Sequence, residues 1–231
     1  MIEYPVVIEE RDGFRVVRDD MVPGGTKVRA IDVLFNDEYN EYVYAGPCQG
    51  YAQVALAHAC KAHGKLATLF CAARDVIHDR TAEAIDAGAA VCQIPAGRLN
   101  VIQHRARAYC KAHGAILLPW GLADVRVIDR LATIARASIT PAPSEVWTVV
   151  GSGTLSLAMQ QAWPDAMVHA VVIGKLHERI GRAKLWLAPE KYEQNAKCPP
   201  PFPSCSNYDA KLWRFVLLHA TPGALVWNVA K

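Results

Sequence analysis

Apolar and polar positions alternate in blocks along the middle of the chain. Across residues 43–119 one unit recurs, in which an apolar run is followed by a polar turn, an alanine-rich helical stretch and a glycine. This order is typical of α/β proteins, where strands alternate with the helices that connect them. The pattern predicts helices over residues 50–63, 81–87 and 105–113, and strands over residues 66–71, 89–94 and 115–118.

The rest of the chain first continues this pattern and then departs from it. We predict a helix over residues 125–137, a strand over 146–150, a helix over 154–163 and a buried strand over 168–173. Five prolines then fall within residues 188–207, and proline at that density disfavours regular structure. We expect an irregular loop there, which is either a surface excursion or a wall that faces a substrate.

Composition excludes several classes of protein. With 52% hydrophobic and 20% charged residues, the 231-residue chain has the composition of a folded protein and not of a disordered one. Its apolar runs are far shorter than the roughly 20 residues that a membrane-spanning helix needs. The first ten residues contain three glutamates and no continuous apolar stretch, so no signal peptide is predicted and a cytoplasmic location is expected.

Cysteine spacing and charge add two further expectations. The seven cysteines include no C-x-x-C pair and no cysteine/histidine cluster at zinc-finger spacing, so we expect no metal site and mostly buried thiols. The net charge of +3 permits contact with a polyanion, but 25 basic residues are interspersed with 22 acidic ones. The overall charge therefore allows nucleic-acid binding without indicating it.

A lysine beside a glycine turn is the first candidate for chemistry. Lys27 follows Pro23, Gly24 and Gly25 at the predicted start of a helix. The positive end of a helix disfavours the charge of a lysine, and glycines leave room for a planar group to approach. Both effects suit an amine that must be neutral to form a Schiff base. From these residues alone, a solvated turn lysine without a catalytic role is the alternative.

A second candidate site follows the predicted strand over residues 146–150. Gly151, Ser152, Gly153 and Thr154 connect this strand to a helix. Such a turn presents backbone N–H groups and the positive helix end to an anion, and the two hydroxyl groups are further donors. The turn lacks the lysine of a nucleoside-triphosphate loop and the full G-x-G-x-x-G pattern, so it fits a monophosphate better.

Five segments, in order along the chain, resemble fold-type II pyridoxal-phosphate enzymes. The resemblance is strongest to the branch of aminocyclopropane-carboxylate (ACC) deaminases and D-cysteine desulfhydrases. The segments and their counterparts are residues 16–29 for KRDD…GGNKxRK, 46–53 for GG-x-x-S-N-H, 151–154 for the phosphate loop, 208–211 for Y-x-G-K and 218–223 for HTGG-x-P. The resemblance implies a tryptophan-synthase-β-like α/β fold with parallel sheets in two lobes, and pyridoxal 5'-phosphate as cofactor.

The resemblance also implies roles for individual residues. Lys27 would be the residue that forms a Schiff base with the cofactor, and Gly151, Ser152, Gly153 and Thr154 would hold its phosphate. Tyr208 would face the substrate as a second catalytic residue.

Four further positions complete the set of candidates, and they lie in segments that depart from the family pattern. Gln49 and Gly50 stand where the family has a serine and an asparagine beside the cofactor ring, with Tyr51 at the adjoining position. We expect Gln49 and Gly50 to contact the cofactor and Tyr51 to be catalytic. The resemblance places Thr221 near the pyridine nitrogen, within a closing motif altered to His219-Ala220-Thr221-Pro222.

The resemblance predicts the organisation of the chain as well. Residues 1–41 and 121–231 would form a larger cofactor-binding lobe, and residues 42–120 a smaller α/β lobe. Family members are usually longer, so the chain resembles a trimmed version with a more open site. A homodimer without membrane contact is expected.

Two enzymatic functions and one non-catalytic function are compatible with these residues. An open site suits decarboxylation, or a related lyase step, of an amino acid attached to a hypermodified thymine in bacteriophage DNA, with DNA as a partner in the host cytoplasm. The alternative enzyme is a deaminase or desulfhydrase that acts on a free small amino acid. A pyridoxal-phosphate fold that has lost catalysis is the third interpretation.

Overall fold

The computed structural model describes residues 4–95, 97–174 and 180–231. The strands are β1 (Ile8–Arg11), β2 (Phe14–Arg18), β3 (Glu41–Ala45), β4 (Leu66–Ala72), β5 (Ala90–Ile94), β6 (Ile116–Leu117), β7 (Glu145–Val150), β8 (Met167–Val172), β9 (Lys184–Leu187) and β10 (Leu225–Asn228). The α-helices are α1 (Ala52–Ala62), α2 (Asp79–Asp86), α3 (Leu99–His113), α4 (Val125–Ser138), α5 (Thr154–Ala162) and α6 (Trp213–His219). Short 3₁₀ helices cover Asp19–Met21, Gly25–Arg29, Ile31–Leu34, Trp120–Leu122 and Asp209–Leu212.

The chain divides into two compact units, each with its own sheet. The small unit contains residues 27–122 and the large unit contains residues 4–26 and 123–231. Residues 27–41, which the sequence assigned to the larger lobe, belong by their contacts to the small unit. The reason is local packing, since the Phe35 ring lies 4.3 Å from that of Tyr42 and the Tyr42 hydroxyl donates to the Asn36 carbonyl.

The small unit is a four-stranded parallel sheet in the order β5-β4-β3-β6. The connections from β3 to β4 and from β4 to β5 run in one direction across the sheet, and that from β5 to β6 returns. Because parallel crossovers are right-handed, α1 and α2 cover one face and α3 covers the other. On the α3 side, Ile102 and Ala106 pack against Val43 and Phe70.

The large unit is a six-stranded sheet in the order β1-β2-β10-β7-β8-β9. Every pairing is parallel except the β1–β2 hairpin at one edge. All six residues of β7 are buried, as expected of a central strand covered on both faces. The α/β fold with parallel sheets that the sequence predicted is therefore confirmed.

Element boundaries agree with the sequence pattern at most positions and differ at two. Helix α3 begins at Leu99, six residues before the predicted start, because the sequence reading followed only its alanine-rich second half. The predicted helix at Lys27 is a five-residue 3₁₀ helix. Residues 188–207 contain neither helix nor strand, which confirms the irregular loop. In the described ranges no helix is both long and apolar enough to cross a bilayer.

Candidate active site

The carboxyl ends of β7, β8 and β10 meet at one edge of the large unit's sheet. Parallel strands all end at the same edge, and open α/β sheets bind ligands there. Gly151 directly follows β7 and Gly174 lies two residues beyond the end of β8. Val229 follows β10. This edge, called the ligand edge below, is where the candidate groups of the large unit gather.

The turn over residues 151–154 has the geometry of an anion cradle. Gly153 is the N-cap of the nine-residue helix α5 and has a φ of 84°, a conformation that favours glycine. A glycine N-cap has no side chain that could accept a hydrogen bond from the first turn of the helix. The backbone N–H groups of that turn point toward the ligand edge. The hydroxyl groups of Ser152 and Thr154 lie 3.0 Å apart beside them. The turn combines a positive helix end with two hydroxyl groups, which suits a phosphate group.

Tyr208 closes the cradle from the opposite side of the turn. A Cβ atom placed on Gly151 would lie 2.9 Å from the Tyr208 hydroxyl, so only glycine allows this approach. The Gly151 amide donates to that hydroxyl, and burial raises the pKa of Tyr208 well above its ordinary value. The phenol is therefore neutral at pH 7 and retains a proton that it can donate to a neighbouring group.

The residues immediately before Lys27 are fixed to the end of β10. The Thr26 amide donates to the Val229 carbonyl at 3.0 Å. A Cβ on Gly25 would overlap that same oxygen, and the φ of Gly25 is +66°. The register of β10 with β7 pairs Val226 with Trp147 and, counted forward, brings Val229 alongside Val150. Thr26 is thereby held at the ligand edge beside the strand that leads into the cradle.

Side-chain bonds add to this anchor. The Thr26 hydroxyl donates to Asp19 at 2.7 Å, and the indole N–H of Trp227 donates to the same carboxylate oxygen at 2.9 Å. All three side chains are buried. Lys27 is the next residue, so its Cα lies about 3.8 Å from that of Thr26.

Lys27 itself is partly buried and is the third residue of the 3₁₀ helix Gly25–Arg29. A helix this short has a small macrodipole, so its positive end disfavours the charge of Lys27 only weakly. The glycine turn approaches the Val229 carbonyl closely, whereas the room for a planar group that the sequence predicted there stays a prediction.

The turn after β3 holds the three predicted residues of the small unit. The Gly50 amide donates to the Pro47 carbonyl at 3.0 Å, and the Cys48 thiol donates to the Gln49 side-chain oxygen at 3.4 Å. Tyr51 is the N-cap of α1, and the Arg80 guanidinium lies 4.2 Å from the centre of its ring. Gln49, Gly50 and Tyr51 are consecutive residues of this turn, and their roles stay predictions.

Buried Gln53 fixes the shape of that turn. Its amide group donates to the Cys48 carbonyl at 2.5 Å, and its side-chain oxygen accepts from the Thr81 hydroxyl at 3.1 Å. The bonds connect the turn to helix α2, so the backbone of residues 47–50 is set by a residue that the sequence reading did not single out.

The predicted role of Thr221 is wrong. Its hydroxyl and amide both donate to the Glu145 carboxylate, at 2.5 and 3.2 Å. Glu145 is the first residue of β7, whereas the cradle follows the last. Six residues of strand separate the two ends by about 20 Å, so Thr221 lies at the edge opposite the ligand edge. The sequence reading missed that a further strand, β10, follows this motif.

Asp209 and Asn228 at the ligand edge were missed for the same reason. The Asp209 carboxylate accepts from the Ala230 amide, and the Asn228 amide group donates to Asp20 and to the Pro203 carbonyl. These bonds attach the end of the proline-rich loop to β10. The apolar run at the C-terminus was the available signal, because a strand read there would have placed Asn228 at the edge.

Metal-ligating side chains do not gather in the same way. Within residues 4–95, 97–174 and 180–231, no three histidine, cysteine, aspartate or glutamate side chains form a group that could hold a metal ion. The candidate active site therefore consists of the cradle, Tyr208 and the anchored Thr26.

Solved structures share this fold. An ACC deaminase homologue matches with a TM-score of 0.79 at 14% identity, over 99% of this chain and 90% of that protein. A threonine deaminase from T.th. matches with a TM-score of 0.68 at 16% identity, over 98% and 91%. Diaminopropionate ammonia lyase from Escherichia coli matches with a TM-score of 0.65 at 12% identity, over 94% and 77%.

Sequence comparisons add nothing to this result, since no protein-family model and no curated protein matches the chain. At identities of 12–16% the structural matches establish the fold alone. The chain thus has the α/β fold of fold-type II enzymes such as the ACC deaminase homologue, as its sequence resemblance predicted.

Proposed function

We propose that the protein is a pyridoxal-phosphate-dependent enzyme that breaks a bond at the Cα atom of an amino acid. The observation that carries this proposal is the cradle over residues 151–154, closed by the Tyr208 hydroxyl and lying beside the anchor of Thr26. It occurs in a fold shared with deaminases and an ammonia lyase. A phosphate site next to a fixed lysine-bearing turn is the arrangement that such a cofactor requires.

The residues of the large unit fit the phosphate end of the cofactor. The backbone N–H groups and hydroxyls of the cradle would hold the phosphate, because a positive helix end stabilises an anion. Gly151 has no Cβ, which keeps the Tyr208 hydroxyl in contact with the turn. Lys27 would be the covalent attachment point, and Gln49 and Gly50 would lie along the cofactor ring.

Bound pyridoxal phosphate supplies an acceptor for the electron pair released when a bond to Cα breaks. The chain's own residues would handle protons and position. The Lys27 amine, once released, would carry a proton to or from Cα. The neutral Tyr208 phenol would donate a hydrogen bond from its oxygen to the substrate and so help to orient it. Tyr51 would orient the substrate, with its ring position set by Arg80.

Absorbance tests the core of this proposal. Purified protein mixed with pyridoxal phosphate should develop the visible band of the lysine-bound cofactor, and Lys27→Ala should lack it. Lys61→Ala is the matched control, because Lys61 is exposed in the last turn of α1. A folded wild-type protein without the band, or a band that survives in Lys27→Ala, would reject the proposed chemistry and favour the non-catalytic alternative.

Two substrates are compatible with this chemistry. An amino acid attached to a hypermodified base of phage DNA would be decarboxylated, whereas a free small amino acid would undergo deamination or desulfhydration. The names of the similar structures favour the free amino acid, and the basic residues of the small unit favour DNA. Incubation with each substrate, followed by measurement of carbon dioxide, ammonia and keto acid, separates the two.

Oligomeric state and location belong to the same proposal. We expect a homodimer in the cytoplasm, of the host if the gene is phage-borne. Light scattering of the purified protein checks the first of these, and a monomeric mass at micromolar concentration would contradict it.

A further inference from the structure

Acidic residues are missing from a long stretch of the small unit. Between Asp86 and Asp124 the sequence contains no aspartate or glutamate. The stretch contains α3, with β5 before it and β6 after it. Its basic side chains are Arg98, Arg105, Arg107 and Lys111, together with His104 and His113.

Exposed positions around α3 carry these charges, with Arg105 and Arg107 on opposite flanks of the exposed side. Ile102 and Ala106 are buried against the sheet, whereas Arg98, Arg105, Arg107 and Lys111 are all exposed. Within the described residues, 4–95, 97–174 and 180–231, none of the four forms an ion pair. We call these four side chains the basic face.

Among the residues that the structure describes, the carboxylate that bonds to a side chain of α3 is Glu41, on the sheet side of the helix. Glu41 on β3 accepts from the Tyr109 hydroxyl at 2.9 Å and from the Thr68 hydroxyl at 2.5 Å. Because it is engaged on the sheet side of the helix, it does not neutralise the basic face. That face therefore presents only positive charge to the solvent.

Helix stability explains this charge pattern only in part, through Lys111 in the last turn, where the macrodipole favours a cation. Arg107 and Lys111 are four residues apart, a spacing at which like charges repel. Arg98 is the N-cap, at the helix end where the macrodipole disfavours a cation.

The opposite face of the small unit has the contrary character. Helix α2 carries Asp79, Glu83 and Asp86, and Arg80 lies 3.7 Å from Glu83. Since α1 and α2 cover one face of the sheet and α3 the other, acidic and basic groups are separated by the sheet. The near balance of charges over the whole chain conceals this separation.

The dimensions and chemistry of the basic face suit a nucleic-acid backbone. The 15 residues of α3 span about 22 Å, the length of roughly six base pairs of duplex. Three of the four cations are arginines, whose planar fork matches phosphate oxygens. A membrane fits less well, because an interfacial helix must insert its apolar side, and that side of α3 is packed on the sheet.

We propose that the basic face of α3 binds the sugar-phosphate backbone of duplex DNA and so brings a DNA-linked amino acid to the enzyme. The part that concerns delivery rests on the proposed function with a DNA-linked substrate. DNA binding itself can be measured without cofactor or catalysis. Contacts of this kind are independent of base sequence and depend strongly on salt.

Fluorescence anisotropy with a labelled, unmodified duplex tests the proposal. Four phosphate contacts predict a slope of about −3.6 in a plot of log affinity against log salt, and Arg105→Gln/Arg107→Gln/Lys111→Gln should reduce it to about −0.9. The affinity of this triple variant for the duplex at 0.1 M salt should be lower than that of the wild type by a factor on the order of 100. Arg105→Gln and Arg107→Gln alone should each change the slope by about 0.9.

The matched control removes three positive charges elsewhere. Arg11→Gln/Lys61→Gln/Arg126→Gln changes the net charge equally, and Arg11 and Arg126 are exposed partners of Glu9 and Asp124. This variant should retain nearly wild-type affinity. Equal losses in the two triple variants, or no binding of duplex at low salt, overturn the proposal. Binding to phosphatidylserine vesicles without binding to duplex also overturns it.

The same samples distinguish failure of this inference from failure of the proposed function. Circular dichroism verifies that each variant is folded, and the visible band of the bound cofactor is recorded in parallel. A cofactor band without DNA binding refutes the basic face and leaves the enzyme proposal standing. DNA binding that depends on α3, without a cofactor band, refutes the enzyme proposal alone.

Discussion

The contact between Gly151 and Tyr208 can be tested by a single methyl group. In Gly151→Ala the new Cβ would lie 2.9 Å from the Tyr208 hydroxyl oxygen, while the nearest ring carbons are 3.7 Å away. The backbone at Gly151 has no positive φ, so alanine introduces steric overlap without backbone strain. Over-packing of this kind costs about 1–3 kcal/mol, which corresponds to a decrease in Tm of roughly 2–10 °C for a chain of this size.

Cofactor affinity should fall together with stability. If the hydroxyl moves, the Gly151 amide loses its partner and the cradle changes shape. A loss of about 1–3 kcal/mol transmitted to the phosphate would weaken pyridoxal phosphate binding by about 5- to 150-fold. A titration followed by absorbance measures the dissociation constant, and urea denaturation measures the free energy of unfolding.

Tyr208→Phe provides the decisive background for this substitution. Phenylalanine lacks the clashing oxygen and keeps the ring carbons at 3.7 Å, so Gly151→Ala should be nearly neutral in Tyr208→Phe protein. The double-mutant cycle should give a coupling of about 1–2 kcal/mol. If Gly151→Ala has the same effect in both backgrounds, the methyl group does not act through the tyrosine and our interpretation of the cradle is incorrect.

Three further predictions concern other buried groups. Gly25→Ala should destabilise the fold by about 3 kcal/mol or more in urea denaturation, whereas Gly64→Ala, with a similar φ but nothing within 4 Å of its new Cβ, should lose only about 1–2 kcal/mol. Lys211 is buried and donates to the carbonyl of Lys191 at 2.8 Å, so Lys211→Met should lower stability by about 1–3 kcal/mol and expose residues 188–207 to limited proteolysis; unchanged proteolysis would contradict this. Burial raises the pKa of the Cys60 thiol from 9.0 to about 12, so the folded state retains a proton that the unfolded chain releases. Stability should therefore fall as pH rises from 9 toward 12, with a contribution approaching about 1.4 kcal/mol per pH unit that is missing in Cys60→Ala.

Local signals in the sequence were sufficient for five of the α-helices and five of the strands, and for the turn over residues 151–154. The strand predicted over residues 146–150 is rich in valine, and the glycines after it have the spacing of an anion-binding turn, so both could be predicted without tertiary information. The resemblance extended this to the fold, because five segments in order constrain the topology more than any one of them does.

Contacts between distant residues could not be read in the same way. The Thr26 amide meets the Val229 carbonyl from the far end of the chain, and no local pattern at either position indicates it. Thr221 was misplaced because the motif at residues 218–223 was matched to the family without recognising that strand β10 follows it. The basic face was missed because the net charge of the whole chain averages over a stretch that has no acidic residue at all.

The position of Glu145 has a consequence for how this protein can evolve. Its carboxylate joins Thr221 to the indole of Trp147 at the amino end of β7, while the cradle occupies the carboxyl end. The bonds of Glu145 thus lie at the amino end of β7, and the proposed phosphate site lies at its carboxyl end. Substitutions that alter specificity can accumulate around Tyr208 without loosening the Glu145 junction, and this separation lets one scaffold serve new substrates.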